Sequence, residues 1–436
     1  MKKQKLLTSA FLISTLLLGA CGKETGSITR STKATVETNN NGGTNSNTAR
    51  RLATNPNKNN LIKPASLAQS FDNIFANTLF SETDANKNVL VSPYSIVMDF
   101  GMLENGADGK ALDEMTKYLN GGLSVDELNK FMKTSQENMM DSDFTKWYVA
   151  NSIWLNQDRI KNLDENYNEK IKEYYLSEVN NRPYNNATLD EINNWVNSNT
   201  DGMIPQILDE LSPESAMTLI NAISFKSDWD CTFDVNKTYE TEFKNSDGST
   251  SNVDMMHSTI NGYFANDDYI GYKIAFADND YSFFAIKSQK GLTPYEMMKK
   301  MSEDKETISS IMSKYSTDEK ADIGLPKFDV DYDVTLNDTL ANLGVSTIFT
   351  NDADFSKITP DSSDLRVSKA IHKTHFDVNE NGVKAAAATA IELTEGVLLG
   401  VEQKNLQINM DESFIYGIYD NTTNLPIFIG SMNNMK

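Results

Sequence analysis

Apolar residues recur along this chain with different periods, and the changes of period divide it into three parts. Residues 6–18 are uncharged and mainly apolar and follow Lys2, Lys3 and Lys5. That run is too short to be trusted as a membrane span. Ending at Gly19 and Ala20, it has the layout of an export signal over residues 1–20. From 21 to 60 the chain is Thr, Asn, Gly and Ser with scattered Lys and Arg. Such a segment cannot offset the entropy of ordering itself and reads as a tether. Sustained patterning starts near residue 61 and continues to 436, enough chain for one large domain or two ordinary ones.

Within that part the period changes again. Residues 67–80 place Phe71, Ile74, Phe75 and Leu79 at helical spacing, and 189–199 repeat the pattern before Asp201 and Gly202 end it. The first third of the domain therefore reads as helices. Further on, 217–225, 272–276, 281–286 and 321–330 are short apolar or alternating runs bounded by Asn, Asp and Gly, which predicts strands. Helices first and strands later, without βαβ alternation, predict an α+β fold with largely antiparallel sheets.

Near the C-terminus two patterns compete. Ala385, Ala386, Ala387 and Ala388 are strong helix formers, which reads as an exposed helix. Counted by twos, Val383, Ala385, Ala387, Thr389, Ile391 and Leu393 form an uncharged set, and Lys384 and Glu392 fall on the opposite set. That reads as a segment able to become a strand between neighbours, with Gly382 as its backbone pivot. Glu395 is the first charge on the inward set.

Composition excludes several functions. With 40 basic and 61 acidic side chains the formal charge is −21, without a basic block, so nucleic acid is not an expected partner. Cys21 and Cys231 are the only cysteines, and Cys231 is expected to be inert and partly buried. Among His257, His372 and His375, the last two stand at i and i+3, a ligand spacing on a helix. Residues 371–378 alternate like a strand, however, so neither metal nor cofactor is expected. No HExxH, GxSxG, Walker or CxxC pattern occurs, and the chain is not expected to be an enzyme.

Two resemblances add to these patterns. Leu18-Gly19-Ala20-Cys21 resembles the bacterial lipobox, which implies a lipid on Cys21 and a place on the outer face of a bacterial membrane, extracellular and lipid-anchored. Residues 378–390 resemble the hinge of inhibitory serpins, and further matches follow in family order: Val91-Ser92-Pro93-Tyr94-Ser95-Ile96, Asn194-Trp195-Val196, Asn221-Ala222-Ile223-Ser224-Phe225-Lys226 with Trp229, Leu325-Pro326-Lys327-Phe328, and Pro426-Ile427-Phe428-Ile429-Gly430. The serpin resemblance implies three mainly antiparallel sheets, about nine helices and an exposed reactive-centre loop, here about 380–405.

It also implies a mechanism. A serine or cysteine protease attacks the loop and forms an acyl-enzyme. The cleaved arm then inserts into the main sheet and traps the covalent complex. Roughly 14 residues at about 3.3 Å each would carry the protease about 46 Å. The resemblance makes Glu380, Gly382, Val383, Ala385, Ala386, Ala387, Ala388 and Thr389 the hinge. Glu380 and Lys327 would pair where the loop leaves the sheet, Trp229 would pack at the breach, and Ser92, Ser95, Asn221 and His372 would form the buried polar shutter. Reactive-bond candidates are Glu395, Gly396 and Val397: Gly396 by family count, Val397 by chemistry, with Leu398 and Leu399 open as chymotrypsin-like alternatives. Elastase- or subtilisin-like targets are expected, papain-like ones are further candidates, and the inhibitor is expected to be monomeric. Val383 stands where the family more often has threonine, and the span from Gly382 to Phe414 is longer than the pattern. A non-inhibitory serpin that binds a ligand or partner is the alternative.

Overall fold

The computed structural model describes residues 65–140, 144–360, 365–383 and 405–436. The expected signal and tether, Cys21, the hinge residues Ala385, Ala386, Ala387, Ala388 and Thr389, and the candidates Glu395, Gly396 and Val397 lie outside the described residues.

The chain begins with α1 (Ala65–Ser81), which buries Leu67, Phe71, Ile74, Phe75 and Leu79 on one stripe. Strand β1 (Val89–Val91) leads into α2 (Pro93–Glu104). Ser92 starts that helix: its hydroxyl accepts from the Ser95 N–H at 3.2 Å, and Pro93 takes the first position, where no amide hydrogen is needed. Then come α3 (Gly109–Tyr118), α4 (Val125–Met140), β2 (Thr145–Asn156), α5 (Glu165–Tyr175), β3 (Glu178–Arg182), α6 (Asn186–Asn199) and β4 (Met217–Asp228). Asn185 caps α6, and Asp201 and Gly202, with φ of 51° and 75°, turn the chain away after it.

The second half contributes β5 (Thr238–Lys244), β6 (Thr250–Ala265), β7 (Tyr269–Ala275), β8 (Tyr281–Ser288), α7 (Pro294–Asp304), α8 (Ile308–Met312), β9 (Ser316–Pro326) and β10 (Phe328–Thr335). It closes with α9 (Asn337–Leu343), β11 (Val367–Asn379), β12 (Gly382–Val383), β13 (Leu406–Asn409), β14 (Phe414–Asp420) and β15 (Leu425–Met432). Nine α-helices and mainly antiparallel sheets among the described residues make this the α+β fold expected.

Three expectations change. Strand β2 lies in the part that reads as helical; it is buried from Ala150 to Asn156 without a break, so no alternation marks it. Helices α7 to α9 interrupt the strand-rich half. The run 321–330 is two strands in different sheets, divided at Lys327, whose N–H donates to the Asp254 carbonyl at 2.9 Å.

One sheet has the order β10-β11-β12-β4-β2-β3, with β11 also pairing β4. A second ladder runs β1-β15-β14-β8-β7-β6. The long β6 also pairs β5 and β9, and β13 closes that third layer on β9. The middle of the six-stranded sheet is buried on both faces, for different reasons. Its inner face packs Trp147, Phe225 and Phe376 on the second ladder, with ring centroids of Phe376 and Phe428 at 4.7 Å. On the outer face Ile192 and Val196 of α6 cover Ala150, Trp154, Ile220, Ala222 and Ile371. Residues alternate between these faces along each strand.

Candidate functional site

The site is the seam between β4 and β11. The two strands pair directly and in parallel from Met217↔Val367 to Ser224↔His375. Above that, Gly382 and Val383 enter between them as β12, antiparallel to both: Val383 sits opposite Val378 and Ser227, and Gly382 opposite Asn379 and Asp228. A parallel pair is slightly less stable per residue than an antiparallel one. At the top of the seam an antiparallel strand thus occupies the place that the parallel contact holds below.

Gly382 is required for a different reason from the one expected. Its φ is not left-handed, so conformational freedom is not what it supplies. A Cβ there would lie 2.1 Å from the Ser227 carbonyl oxygen and 2.8 Å from Asp228 Cα. Only a residue without a side chain fits so close to β4. Val383 is fully buried beside it.

Around this entrance the expected partners come together. Trp229 is 3% exposed and stacks on Phe276 with centroids at 5.0 Å. Its indole N–H donates to the Asn379 carbonyl at 2.9 Å, and its backbone N–H to that of Asn381 at 2.9 Å. Glu380 Oε2 lies 3.1 Å from Lys327 Nζ, and Glu380 Oε1 accepts from Thr238 Oγ1 at 3.1 Å. Burial pushes the Glu380 carboxyl up, but its own backbone N–H, the bonds from Lys327 and Thr238 and the lysine charge outweigh it and hold the group below its ordinary value. Cys231 differs from expectation: it is exposed, because it stands in the turn after β4 where Trp229 and Phe233 take the inward positions.

Lower in the seam the polar cluster is completely buried. Ser92 N–H donates to His372 Nε2 at 3.0 Å, and Ser92 Oγ donates to the Ile427 carbonyl at 2.9 Å. His372 Nδ1 contacts Asn221 Oδ1 across the seam. Asn221 Nδ2 donates to the Ser95 carbonyl and to Ser95 Oγ, both at 2.7 Å. Since Nε2 accepts from an amide, the ring proton belongs on Nδ1, where it is donated to Asn221. Burial pushes His372 down to about 3, so the ring is neutral and structural. His375 is three residues on and projects from the opposite face of β11.

Sequence reasoning missed three members. Asn151 of β2 accepts from Asn221 Nδ2 at 3.1 Å and from Ser95 Oγ at 3.4 Å, and no alternation announces its strand. Thr374 Oγ1 donates to the Leu90 carbonyl at 2.7 Å; it stands two residues from His372, so the period of two could have found it. Thr238 carries no local signal at all.

Comparison with known proteins bears on this geometry. A family model described as serpin (serine protease inhibitor) matches residues 70–435. An uncharacterized serpin-like protein of Thermococcus kodakarensis is 31% identical over 376 residues, covering 84% of this chain and 85% of that protein. Serpin A3-6 of Bos taurus is 30% identical over 376 residues, covering 83% and 86%. Among solved structures, the thermophilic serpin tengpin in its native state superimposes with a TM-score of 0.78 at 32% identity, over 85% of this chain and 93% of that one. Tengpin in its latent state gives 0.70 at 29% identity, over 85% and 98%.

Proposed function

The chain belongs to the serpin family of serine protease inhibitors, and we propose that it is a suicide substrate that traps an acyl-protease by inserting its cleaved loop between β4 and β11. The observation that carries this reading is β12, two residues of an antiparallel strand seated at the top of a parallel seam.

The register of β12 supports it further. Continued downward, that register would set Ala385 between Phe376 and Phe225, Ala387 between Thr374 and Ile223, and Thr389 between His372 and Asn221. Small residues would then stand opposite the aromatics. Thr389 would bring a hydroxyl to the level where the His372–Asn221 contact must break, and buried polar groups need partners in both states. Strand β4 begins at Met217, opposite position 393 in this register, and β11 at Val367, opposite 394. Insertion would run out of sheet there. This agrees with a reactive bond among Glu395, Gly396 and Val397, and with proteases that accept small aliphatic residues.

The test is incubation with elastase-, chymotrypsin-, subtilisin- and papain-like proteases, followed by a denaturing gel and the mass of the released C-terminal peptide. A gel-stable complex and a raised unfolding temperature after loop cleavage are expected. No complex with any of them, together with unchanged stability after cleavage, would sink the reading. In the same reading Cys21 carries a lipid and the inhibitor stands on the outer face of a membrane. Metabolic labelling with a radioactive fatty acid checks this: label should enter the wild type and be lost in Cys21→Ser.

A further inference from the structure

Helix α2 touches all three strands around the seam. Ser92, which caps it, bonds to His372 of β11, and Ser95 takes the Asn221 amide of β4. Met98 Sδ accepts from Asn151 Nδ2 of β2 at 3.1 Å. The helix is also buried along its whole length, all twelve residues from Pro93 to Glu104. Two of those residues are acids. Asp99 stands one helical turn beyond Ser95 and Glu104 ends the helix, and they are 2% and 1% exposed.

Glu104 Oε2 accepts from Asn120 Nδ2 at 2.9 Å, but Glu104 Oε1 and Asp99 Oδ1 are buried without a hydrogen-bond partner. The titratable groups that face the two acids are phenols of α5, Tyr167 toward Asp99 and Tyr175 toward Glu104. Both hydroxyls are committed elsewhere, Tyr167 to the Met102 carbonyl at 3.2 Å and Tyr175 to Asn129 Oδ1 at 2.7 Å. Among the described residues no other element packed on α2 sets a charged group against either carboxyl. A carboxylate buried without a cation is so costly that the group takes a proton instead. Burial accordingly pushes Asp99 well above the ordinary carboxyl range and Glu104 up to about 8. Because no position of α2 reaches the surface, hydrating either carboxylate requires the helix or its cover to shift.

We propose that the protons on Asp99 and Glu104 hold α2 in place under the seam, and that their loss as pH rises loosens Ser92, Ser95 and Met98 from the three strands and lets the uncleaved loop insert. The consequence for the loop rests on the insertion reading; the proton-dependent stability does not. In the unfolded chain the two groups ionise near their ordinary values of 3.8 and 4.5. Above those values the folded protein still holds protons that the unfolded one has released. Their contribution to stability is therefore complete in acid and is lost as pH rises, for Glu104 by about pH 8.

The test uses the full chain, Asp99→Asn, Glu104→Gln and the double variant, which keep the shape of each side chain and remove its ionisation. Denaturant unfolding is measured from about pH 5 to about pH 9. Stability of the wild type minus that of the double variant should fall steadily across this range; Asp72, buried in α1, titrates in both proteins and cancels. A flat difference would overturn the proposal. Should the double variant not fold, each single variant carries the same comparison for its own group. Uncleaved protein is then held at about pH 6 and about pH 9, and the fraction that keeps its intact mass but resists unfolding is followed; wild type should convert about tenfold faster at the higher pH. The double variant should convert at one rate in both. A wild-type rate that ignores pH, beside a sloping stability difference, would overturn the coupling to the seam. A sloping difference in a protein that forms no covalent complex with any protease would uphold the proton-held helix and remove only the inhibitory reading.

Discussion

The top and the middle of one seam are held by opposite means. At the top, Glu380 and Lys327 form an ion pair whose lysine is 37% exposed, beside an indole that bonds to backbone. In the middle, Ser92, Ser95, Asn221 and His372 are at most 1% exposed and bond mainly to one another. A partly exposed ion pair contributes at most about 1 kcal/mol. Each buried group left without its partner costs about 1–3 kcal/mol. The entrance therefore parts easily and the middle resists. In the proposed insertion, opening would start where β12 already sits, and the buried cluster would decide whether it continues.

Four experiments test this contrast, in descending order of effect. Ala387→Arg places a charge where the register calls for a small inward residue, and burying an unpaired charge costs several kcal/mol. The gel-stable complex should all but vanish while cleavage of the loop continues; an undiminished yield of complex would mean that no strand is inserted.

Next, Asn221→Ala should lower unfolding stability by about 3 kcal/mol, since it strips partners from His372 and Ser95. Denaturant unfolding measures this. A loss smaller than that of Lys327→Ala would reverse the comparison.

The third concerns pH. His372 sits at about 3 in the folded protein against an ordinary 6.5, so between those values the unfolded chain binds a proton that the folded one does not. Stability from this group is therefore complete above about pH 6.5 and is lost progressively as pH falls toward 3. Asp72 and Glu104 work in the other direction, because burial raises them to about 7 and about 8 and their protonated forms favour the fold below those values. The histidine is isolated by subtracting the stability profile of His372→Gln from that of the wild type. The difference should slope only in the acid window, and a flat difference there would contradict a neutral buried ring.

The smallest effect is expected from Lys327→Ala, at most about 1 kcal/mol in stability and weaker in high salt, read by thermal unfolding at two ionic strengths. A larger loss would make the entrance, rather than the middle, the lock.

Much of the site is legible in the sequence because the relevant patterns are short. Residues 371–378 alternate visibly, so the local pattern alone assigns His372 and His375 to a strand. Other members are hidden because their role depends on a distant neighbour. Asn151 belongs to a strand buried without a break over its second half, which leaves no period to read. Lys327 reads as the interior of one strand, yet it is the point where the chain passes between two sheets. Glycine at 382 suggests a flexible pivot, but its reason is the Ser227 carbonyl against which it lies, and that contact joins positions far apart in the chain.

What the amino-acid sequence carries locally is which residues share a face: the helical stripe of α1 and the alternation of residues 371–378, with the alternation from Val383 to Leu393 an expectation of the same kind, whereas the polar set around His372 came from family resemblance. Such patterns follow from periods of two and 3.6, which any short stretch of chain carries. What each face meets is set by the packing of the whole fold. It set β4 against β11 in parallel and left room above them for β12. Local geometry constrains where a side chain points. Pairing between strands some 150 residues apart is chosen by the packing of the whole core, and no local pattern encodes it.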